Sequence, residues 1–528
     1  MARTRDKAMN REQFMPDRER HVRESAALSW LVPLLACLCF GAIASAQVPD
    51  QMTIDLEEKL DVLGDVLADA GSRSIPATAL IAQSGVADYA SIGPVPSLRT
   101  APEWGTLAVG PGQGQRLNMR LALTMLSQSF GDEDTYRVLN AQTEPNSDAL
   151  VITEGRADLA TLQTLLVQND LPYSAVGQTL TLRVPLVIWD GAILDLGSGD
   201  VLELSQSDGA FVMNFGHLRM QGAAIVAVGS PNEASRSFRP FVTTADSGTL
   251  ALRGARFTGL GFGETFKFTG FSVMRSLLRA PDSPAWIEGS LFEDVLTVAV
   301  SGDDGIVVIG NQFRDMRGEA LVLERTRDGA VLSNLFLGAM PTNAIRLQDG
   351  SVRGLVAGNV ILGGDRTGIV VRQGGHHVTV ANNVVWHRDG GGISLVSSDC
   401  GRVTGNLVID NDQKGIEVRR SLDVQVSGNT ILSNHSAGIW VSEQDAGAET
   451  VLSGNVLAFN GAGLAAARGE RLLLQSNDFS AQYLQFLGGD IAAQTAHVAL
   501  NMRGEVPMVL TAAGRFDSGS SGPTCTEG

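Results

Sequence analysis

The chain has 528 residues, of which 60 are glycine, and a formal net charge of −17; only 18% of its residues are charged and 5% aromatic. This acidic balance argues against a general nucleic-acid binder, because such proteins carry a basic surface. Four cysteines are too few for a disulfide scaffold. The length suits one long repetitive unit with a smaller N-terminal piece.

The first 46 residues have the pattern of an export signal. A charged stretch up to Glu24 precedes an apolar run over Ala26–Ile43, which ends in the small-x-small sequence Ala44-Ser45-Ala46. We therefore predict a signal peptide over residues 1–46, a periplasmic mature protein, and no membrane attachment after cleavage. An uncleaved anchor is the alternative interpretation.

The next two segments precede the repeats. Residues 47–147 are expected to be irregular, with one helix over Leu117–Ser129. In residues 148–177, an apolar strand leads into a helical pattern of leucines, and Asp158 stands where an N-terminal cap is expected. A small α/β segment of this kind would cover the strand edges at the end of a solenoid.

Asparagines recur along the C-terminal half at steps of 22 to 26 residues, and each is followed two positions later by an apolar residue. They are Asn311, Asn334, Asn359, Asn383, Asn406, Asn429, Asn455 and Asn477. A period of this length with short β-rich runs predicts a solenoid whose repeats stack on one another. Asparagine suits the turn because it tolerates left-handed backbone, and stacked amides can bond from one rung to the next.

Short strands form a second register in phase with the asparagines. Within Ile369–Arg372 and Ile416–Arg419, apolar residues alternate with others, so one face packs inward and the other faces outward. A β-sandwich would not keep two registers in phase over seven units. We therefore predict an all-β fold, a parallel β-helix over residues 178–490, followed by a partly disordered tail over 491–528.

Two cysteines remain after the leader is removed. Cys37 and Cys39 leave with the signal peptide, whereas Cys400 and Cys525 stay in the mature chain. A bridge between the remaining pair is open, although a solenoid does not need one.

Four ungapped stretches resemble a known family. They are Leu182–Ile188, Gly209–Phe211, Phe238–Phe241 and Gly254–Phe262, and the shorter pieces Gly191-Ala192 and Leu204-Ser205-Gln206 accompany them. These stretches resemble the periplasmic mannuronan C5-epimerases of bacterial alginate-secretion systems, and the resemblance runs from roughly Ala149 to Gly489. It implies a right-handed β-helix that binds a polyuronate along an outer groove and inverts C5 without a dissociable cofactor.

Inversion at C5 requires a group that neutralises the uronate carboxylate, a base that removes H5, and an acid on the opposite face. In the resembled family, an Asp-Pro-His-Asp motif on one strand supplies the core of this chemistry. The matching strand here reads Val322-Leu323-Glu324-Arg325, so the motif is not retained. Glu324 stands at the histidine position and Arg325 at the second aspartate, and the family's arginine one coil later falls near Asp349.

The outward face of the predicted strands offers a replacement set. We expect Glu324 to lie beside Arg346 and Gln348, followed by Arg372 and, two coils further on, Arg419. The candidate catalytic residues are Glu324, Arg325, Arg346 and His376, and the candidate substrate-binding residues are Arg346, Arg372, His377, His387, Arg388 and Arg419. Guanidinium groups can hold a uronate carboxylate, and imidazoles can move a proton.

A simpler interpretation of the same residues stays open. Alternating Glu and Arg on a solvated sheet form ordinary cross-strand pairs, and histidines are common in exposed turns. A glutamate held between arginines is also a weak base, because nearby positive charge favours its ionised form. No group of residues has the spacing of a metal site, so no metal is expected, and the family resemblance implies no cofactor.

Three functions follow from these patterns. The first is an active epimerase with rearranged residues, and the second is a non-catalytic module that guides or protects an anionic exopolysaccharide. The third is a lyase, since removal of H5 is common to epimerisation and β-elimination. All three predict an anionic polysaccharide as partner and no nucleic acid, with residues 47–147 as a candidate docking segment for a secretion complex.

Overall fold

The computed structural model describes residues 110–142, 148–276, 283–512, positions 281 and 525, and isolated positions between 54 and 85. The expected signal peptide lies outside the described residues, as do most of 47–109 and of the tail beyond 512. Within the described part of the chain, no helix is both long and apolar enough to cross a membrane.

Three strands recur in the same order in every coil, and each pairs in parallel with its counterparts in the neighbouring coils. The result is a right-handed parallel β-helix of about 13 turns. The sequence repeats predicted the parallel β-helix, and the family resemblance implied its handedness. The three sheets that run along it are here called the groove sheet, the second sheet and the third sheet.

The groove sheet contains Leu186–Ile188, Val212–Asn214, Val242–Ala245, Gly270–Met274, Thr297–Ser301, Leu321–Glu324, Ile345–Gln348, Ile369–Arg372, Ile393–Val396, Lys414–Arg419, Ala437–Ser442, Ala462–Ala467 and Leu487–Gly489. The second sheet contains Ala192–Leu196, His217–Gln221, Thr249–Arg253, Trp286–Glu288, Val307–Ile309, Ala330–Leu332, Leu355–Ala357, Thr379–Ala381, Arg402–Thr404, Val424–Ser427, Glu449–Ser453 and Arg471–Gln475. The third sheet contains Thr179–Leu182, Val201–Ser205, Ala224–Val228, Arg256–Thr258, Leu291–Glu293, Gln312–Arg314, Leu335–Leu337, Val360–Leu362, Val384–Trp386, Leu407–Ile409, Thr430–Leu432 and Val456–Ala458.

The asparagine repeat forms a continuous internal ladder. From Asn311 to Asn477, each side-chain amide donates to the side-chain oxygen of the next asparagine at 2.8–3.0 Å. Each also donates to a backbone carbonyl, as Asn383 does to Val356 at 2.9 Å. The predicted bonding from rung to rung is therefore confirmed, and it satisfies the buried polar groups of the turn.

A second, shorter ladder was not recognised in the sequence. It joins Asn411, Asn434, Asn460 and Gln482 through their side-chain amides at 2.8–3.2 Å. The two ladders stand on either side of the third-sheet strands, so both turns that flank those strands are fixed by stacked amides.

The N-terminal end of the solenoid is closed by regular structure. The strand Asp148–Ala157 pairs in parallel with the first strands of the groove and second sheets. After it comes the helix Leu159–Gln168, in which the Asp158 side chain accepts the amide hydrogen of Thr161 at 2.8 Å. Both the helix and its cap are as predicted. Tyr173–Val176 then forms a hairpin with the first third-sheet strand.

The described part of residues 47–147 is more regular than expected. The strand Gln113–Asn118 pairs antiparallel with Asp148–Ala157, and the helices Arg120–Phe130 and Thr135–Asn140 follow. Regular structure forms here because the segment completes an exposed strand edge and buries its apolar residues on the solenoid.

These helices cover the outward face of the first groove-sheet strands. Their buried residues pack against a cluster of aromatic side chains that includes Phe211, Phe238, Phe241, Phe262 and Phe268. Further along the sheet, from the strand Leu321–Glu324 onward, charged side chains occupy several of the outward positions. The solenoid therefore has a covered N-terminal part and an outward face with charged residues beyond it.

The C-terminal end is closed by the helix Thr495–Ala499 and by the strand Met508–Thr511, which pairs antiparallel with Arg471–Gln475. Short 3-10 turns lie at Phe266–Phe268 and Ala492–Gln494. A disulfide joins Cys400 to Cys525, so the bond that the sequence left open is present.

Candidate functional site

The outward positions of the groove sheet form two parallel rows. In the first row Val322 pairs with Arg346, and in the second row Glu324 pairs with Gln348. We had expected Arg346 to lie beside Glu324. The two side chains belong to different rows, so this expectation is wrong. Gln348 is the direct neighbour of Glu324.

The second row is a connected polar network. Glu324 forms an ion pair with Arg325 at 2.7 Å and accepts a hydrogen bond from Gln348 at 3.3 Å. The Gln348 side-chain oxygen in turn accepts two hydrogen bonds from Arg372, at 3.1 and 2.9 Å. Arg325 also donates to the Ser301 hydroxyl at 2.6 Å. The network thus brings Glu324, Arg325 and Arg372 together through a glutamine.

The first row contains a carboxyl group that the sequence analysis missed. Arg346 forms an ion pair with Glu319, which lies in the turn just before the strand Leu321–Glu324. Burial raises the pKa of Glu319, although the charges of Arg346 and Arg372 oppose this shift. Glu319 stands two residues before Leu321, the first inward residue of its coil, and Lys414 stands two residues before Ile416, the equivalent residue of a later coil. This shared position was the only signal in the sequence.

Arg346 is itself in a low-dielectric environment. Its side chain is 14% exposed, and burial lowers its pKa from the ordinary arginine value despite the neighbouring Glu319. The buried Nε of Arg346 has no hydrogen-bond partner within the described residues. A buried polar group in this state carries an uncompensated desolvation cost.

Further along the groove, the charged residues are paired with one another. Glu417 accepts hydrogen bonds from Ser394 and Lys414, both at 2.8 Å. Arg419 forms an ion pair with Glu443 at 2.7 Å, and this bond raises the pKa of Arg419. Arg419 therefore lies on the predicted face, with a carboxylate already bound to it.

The histidines lie on the two rims rather than between the arginines. His376 and His377 follow the strand Ile369–Arg372, and the His376 ring accepts the backbone amide hydrogen of Asp399 at 3.0 Å. Two strand spacings, or about 10 Å, separate the coil of His376 from that of Glu324. His387 lies on the opposite rim, where its ring pairs with Asp410 at 2.8 Å.

Arg388 lies inside the molecule. It is 1% exposed, and its guanidinium donates to the backbone oxygens of Gly363, Arg366 and Thr342. Burial lowers the pKa of Arg388 to about 10. The substrate-binding role expected for this residue is not supported, because its side chain is buried and each of its three guanidinium nitrogens donates to the turn that it stabilises.

The described residues contain no group of three or more His, Cys, Asp or Glu side chains arranged to hold a metal ion. The described side chains of the groove offer guanidinium, ammonium, carboxyl, amide, hydroxyl and indole groups. Such a set can bind anionic and hydroxylated ligands through charge-assisted hydrogen bonds.

This architecture is that of the right-handed β-helix proteins, and a family model described as "Right handed beta helix region" matches residues 296–457. In sequence, the chain is 27% identical over 216 residues to the mannuronan C5-epimerase AlgG of Azotobacter vinelandii. The aligned region covers 37% of this chain and 41% of that protein. The chain thus spans about two fifths of the length of this curated relative. The resemblance inferred from the sequence is confirmed.

Solved structures agree on the fold. The periplasmic alginate epimerase AlgG superposes with a TM-score of 0.60 at 20% identity, over 72% of this chain and 93% of the other. A single-residue mutant of that enzyme gives the same TM-score and identity over 75% of this chain. At this level of identity, the superposition establishes the architecture alone.

Proposed function

We propose that this chain is an exported protein that binds an anionic uronic-acid polysaccharide, of the alginate type, along the outward face of the groove sheet. The similarity to a mannuronan C5-epimerase supports this class of ligand. An extended polymer would lie along the solenoid axis, because the outward side chains repeat in that direction at the spacing of the strands.

The state of Arg372 is the observation that carries the proposal. Arg325, Arg346 and Arg419 each have a carboxylate partner, whereas Arg372 donates only to the neutral oxygen of Gln348 among the described residues. An arginine whose hydrogen bonds go to a neutral amide oxygen retains its other N–H donors for a ligand. Its planar fork matches the geometry of a uronate carboxylate.

Calorimetric titration with polymannuronate tests this proposal. We expect Arg372→Ala to weaken binding about ten- to hundredfold, since a charge-assisted hydrogen bond contributes about 1.5–3 kcal/mol. Binding should also weaken between about 0.01 M and 1 M salt. Arg471→Ala is the matched control, because Arg471 pairs with Glu449 on the second sheet. Equal affinities for the two variants would contradict the proposal.

The disulfide supports export to the periplasm. A bond between Cys400 and Cys525 persists in oxidising compartments and is rare in the reducing cytosol. Together with the signal sequence read in residues 1–46, it favours an extracytoplasmic protein.

Epimerisation is the second candidate function, and Glu319 is the observation that favours it. A carboxylate whose pKa is raised by burial is a stronger base than an ordinary glutamate, so Glu319 is suited to remove H5. Arg346 would then stabilise the negative charge that develops on the uronate carboxylate. Return of a proton to the opposite face of C5 completes the inversion. If the C4–O4 bond breaks instead, O4 leaves with the adjoining sugar unit and takes up a proton, and a C4=C5 double bond forms, which is elimination.

Proton NMR of polymannuronate incubated with the protein separates these functions. New guluronate signals that disappear in Glu319→Gln but persist in Glu324→Gln would support Glu319 as the base. The reverse pattern would favour Glu324 as the base, and an unsaturated product would identify a lyase. An unchanged polymer that still binds would define a non-catalytic scaffold.

A further inference from the structure

An aromatic side chain stands at an outward position of the groove, beyond the charged residues described above. Trp440 lies in the first row of the groove sheet, next to Glu417 in the preceding coil and Ala465 in the following one. Its side chain is half-buried and packs against Ala437, Ala462 and Ala465. These small neighbours leave the indole as the largest apolar group on this part of the outward face.

Two further features distinguish this position from an ordinary surface tryptophan. The Lys414 ammonium lies 5.3 Å from the centre of the indole ring and is held there by Glu417 at 2.8 Å. The indole N–H of Trp440 makes no hydrogen bond to any described residue. An apolar ring, a cation and a free donor therefore occur together.

We propose that Trp440 forms a second sugar subsite in the groove, which takes one hexuronate unit of the polymer. The apolar face of the pyranose ring lies against the exposed part of the indole, and the indole N–H donates to a hydroxyl group of the same unit. This inference rests on the proposed polyuronate-binding function. It adds a stacking contact to the charge-based contact at Arg372.

The distance between the two subsites sets the length of ligand that can occupy both. Along the solenoid axis, Arg372 and Trp440 are separated by three strand spacings, or about 14 Å, and they lie in different rows of the groove sheet. The rise per unit in an extended 1,4-linked chain is similar to one strand spacing, so about four or more units span the two subsites. A disaccharide can occupy only one of them, whereas a hexasaccharide can occupy both.

The test compares a mannuronate disaccharide with a hexasaccharide in calorimetric titrations of the full protein. Trp440→Ala should weaken hexasaccharide binding about tenfold, and Trp440→Phe should largely preserve it because the aromatic face remains. The matched control is Trp386→Ala, since Trp386 is also half-buried but lies on the third sheet. The wild-type preference for the hexasaccharide should shrink in Trp440→Ala.

Intrinsic fluorescence gives a direct readout of the same contact. The hexasaccharide should change the emission of the wild-type protein, and this change should be lost in Trp440→Phe but kept in Trp386→Phe. If the wild type binds with its Arg372 dependence intact and Trp440→Ala binds equally well, the subsite is refuted while the proposed function stands. If the wild type binds neither oligosaccharide nor polymer, the proposed function fails and the subsite with it.

Discussion

The same residue type has opposite roles at two positions of this chain. Arg372 lies in the groove with a neutral partner, whereas Arg388 is buried and donates to three backbone oxygens. Arg372 is the last residue of a strand and Arg388 closely follows one. Their neighbours in the sequence do not show which of the two side chains is buried. The difference arises because Arg388 turns inward at a corner, where carbonyl groups from two earlier coils converge on it.

Replacement of Arg388 should therefore affect stability rather than binding. We expect Arg388→Met to lower the free energy of unfolding by about 3 kcal/mol or more, because it leaves buried carbonyl groups without donors. Urea unfolding measures the loss, and polymannuronate titration of the folded variant measures binding. A variant of normal stability with impaired polymer binding would contradict this structural role.

At the scale of the element, short strands are held in register by stacked amides. Strands of three to six residues have few bonds of their own, so the ladders and the alignment of inward side chains fix each coil on the next. The stacked rings of Phe257, Phe292, Phe313 and Phe336, with centroids 4.6–5.2 Å apart, follow the same register.

A substitution in the middle of the asparagine ladder should lower the free energy of unfolding more than a substitution at its end. Asn383→Ala removes bonds to Asn359, Asn406 and the Val356 carbonyl, and we expect a loss of about 3 kcal/mol. Asn477→Ala should lower the free energy of unfolding by about 2 kcal/mol, because it removes two such bonds, one from Asn455 and one to the Leu452 carbonyl. Thermal and urea unfolding of the two variants provide the comparison, and equal losses would argue against a cooperative ladder.

The capping helix has a pH dependence that follows from Asp158. The amide hydrogen of Thr161 bonds to this carboxylate and holds the pKa of Asp158 below its usual value. The stabilisation by the cap is therefore complete above the ordinary aspartate pKa and is lost as the pH falls through the lowered one.

Substitutions at Asp158 test this directly. Asp158→Ala should lower the free energy of unfolding by about 1 kcal/mol at neutral pH, whereas Asp158→Asn retains an acceptor and should cost less. Unfolding measured from neutral to acidic pH should show the gap between wild type and Asp158→Ala closing at low pH. A gap that stayed constant would show that the carboxylate is not the cap.

At the scale of the whole molecule, the ends and one side of the solenoid are covered while the C-terminal part of the groove sheet presents its charged face. The N-terminal helices cover the first strands, the antiparallel strand Met508–Thr511 closes the other end, and the Cys400–Cys525 disulfide joins the end of the chain to a turn of the solenoid. Arg372 and Trp440 lie between these covered regions.

Reduction of the disulfide should destabilise the protein without removing its core. The bond closes a loop with a sequence separation of 125, and we expect a loss of about 2–4 kcal/mol in the free energy of unfolding. Denaturation with and without reductant measures this loss. The double variant Cys400→Ser/Cys525→Ser is the control, and its stability should not respond to reductant. An unchanged wild type would show that the bond does not stabilise the fold.

The sequence by itself determined the features that depend on local periodicity. The spacing of the asparagines and the alternation within strands predicted a parallel β-helix and its amide ladder, and Asp158 with the leucines after it predicted the capping helix. These succeed because a solenoid repeats one local unit, so that each residue meets its equivalents in the adjacent coils.

Tertiary structure alone decided which side chains share an environment. The sequence placed Arg346 beside Glu324, missed Glu319 and put Arg388 in the groove. Partners at turns are chosen by how adjacent coils pack, and a shift of one or two positions changes the row or the face. Burial, which raises the pKa of Glu319 and lowers that of Arg388, likewise exists only when the coils are assembled.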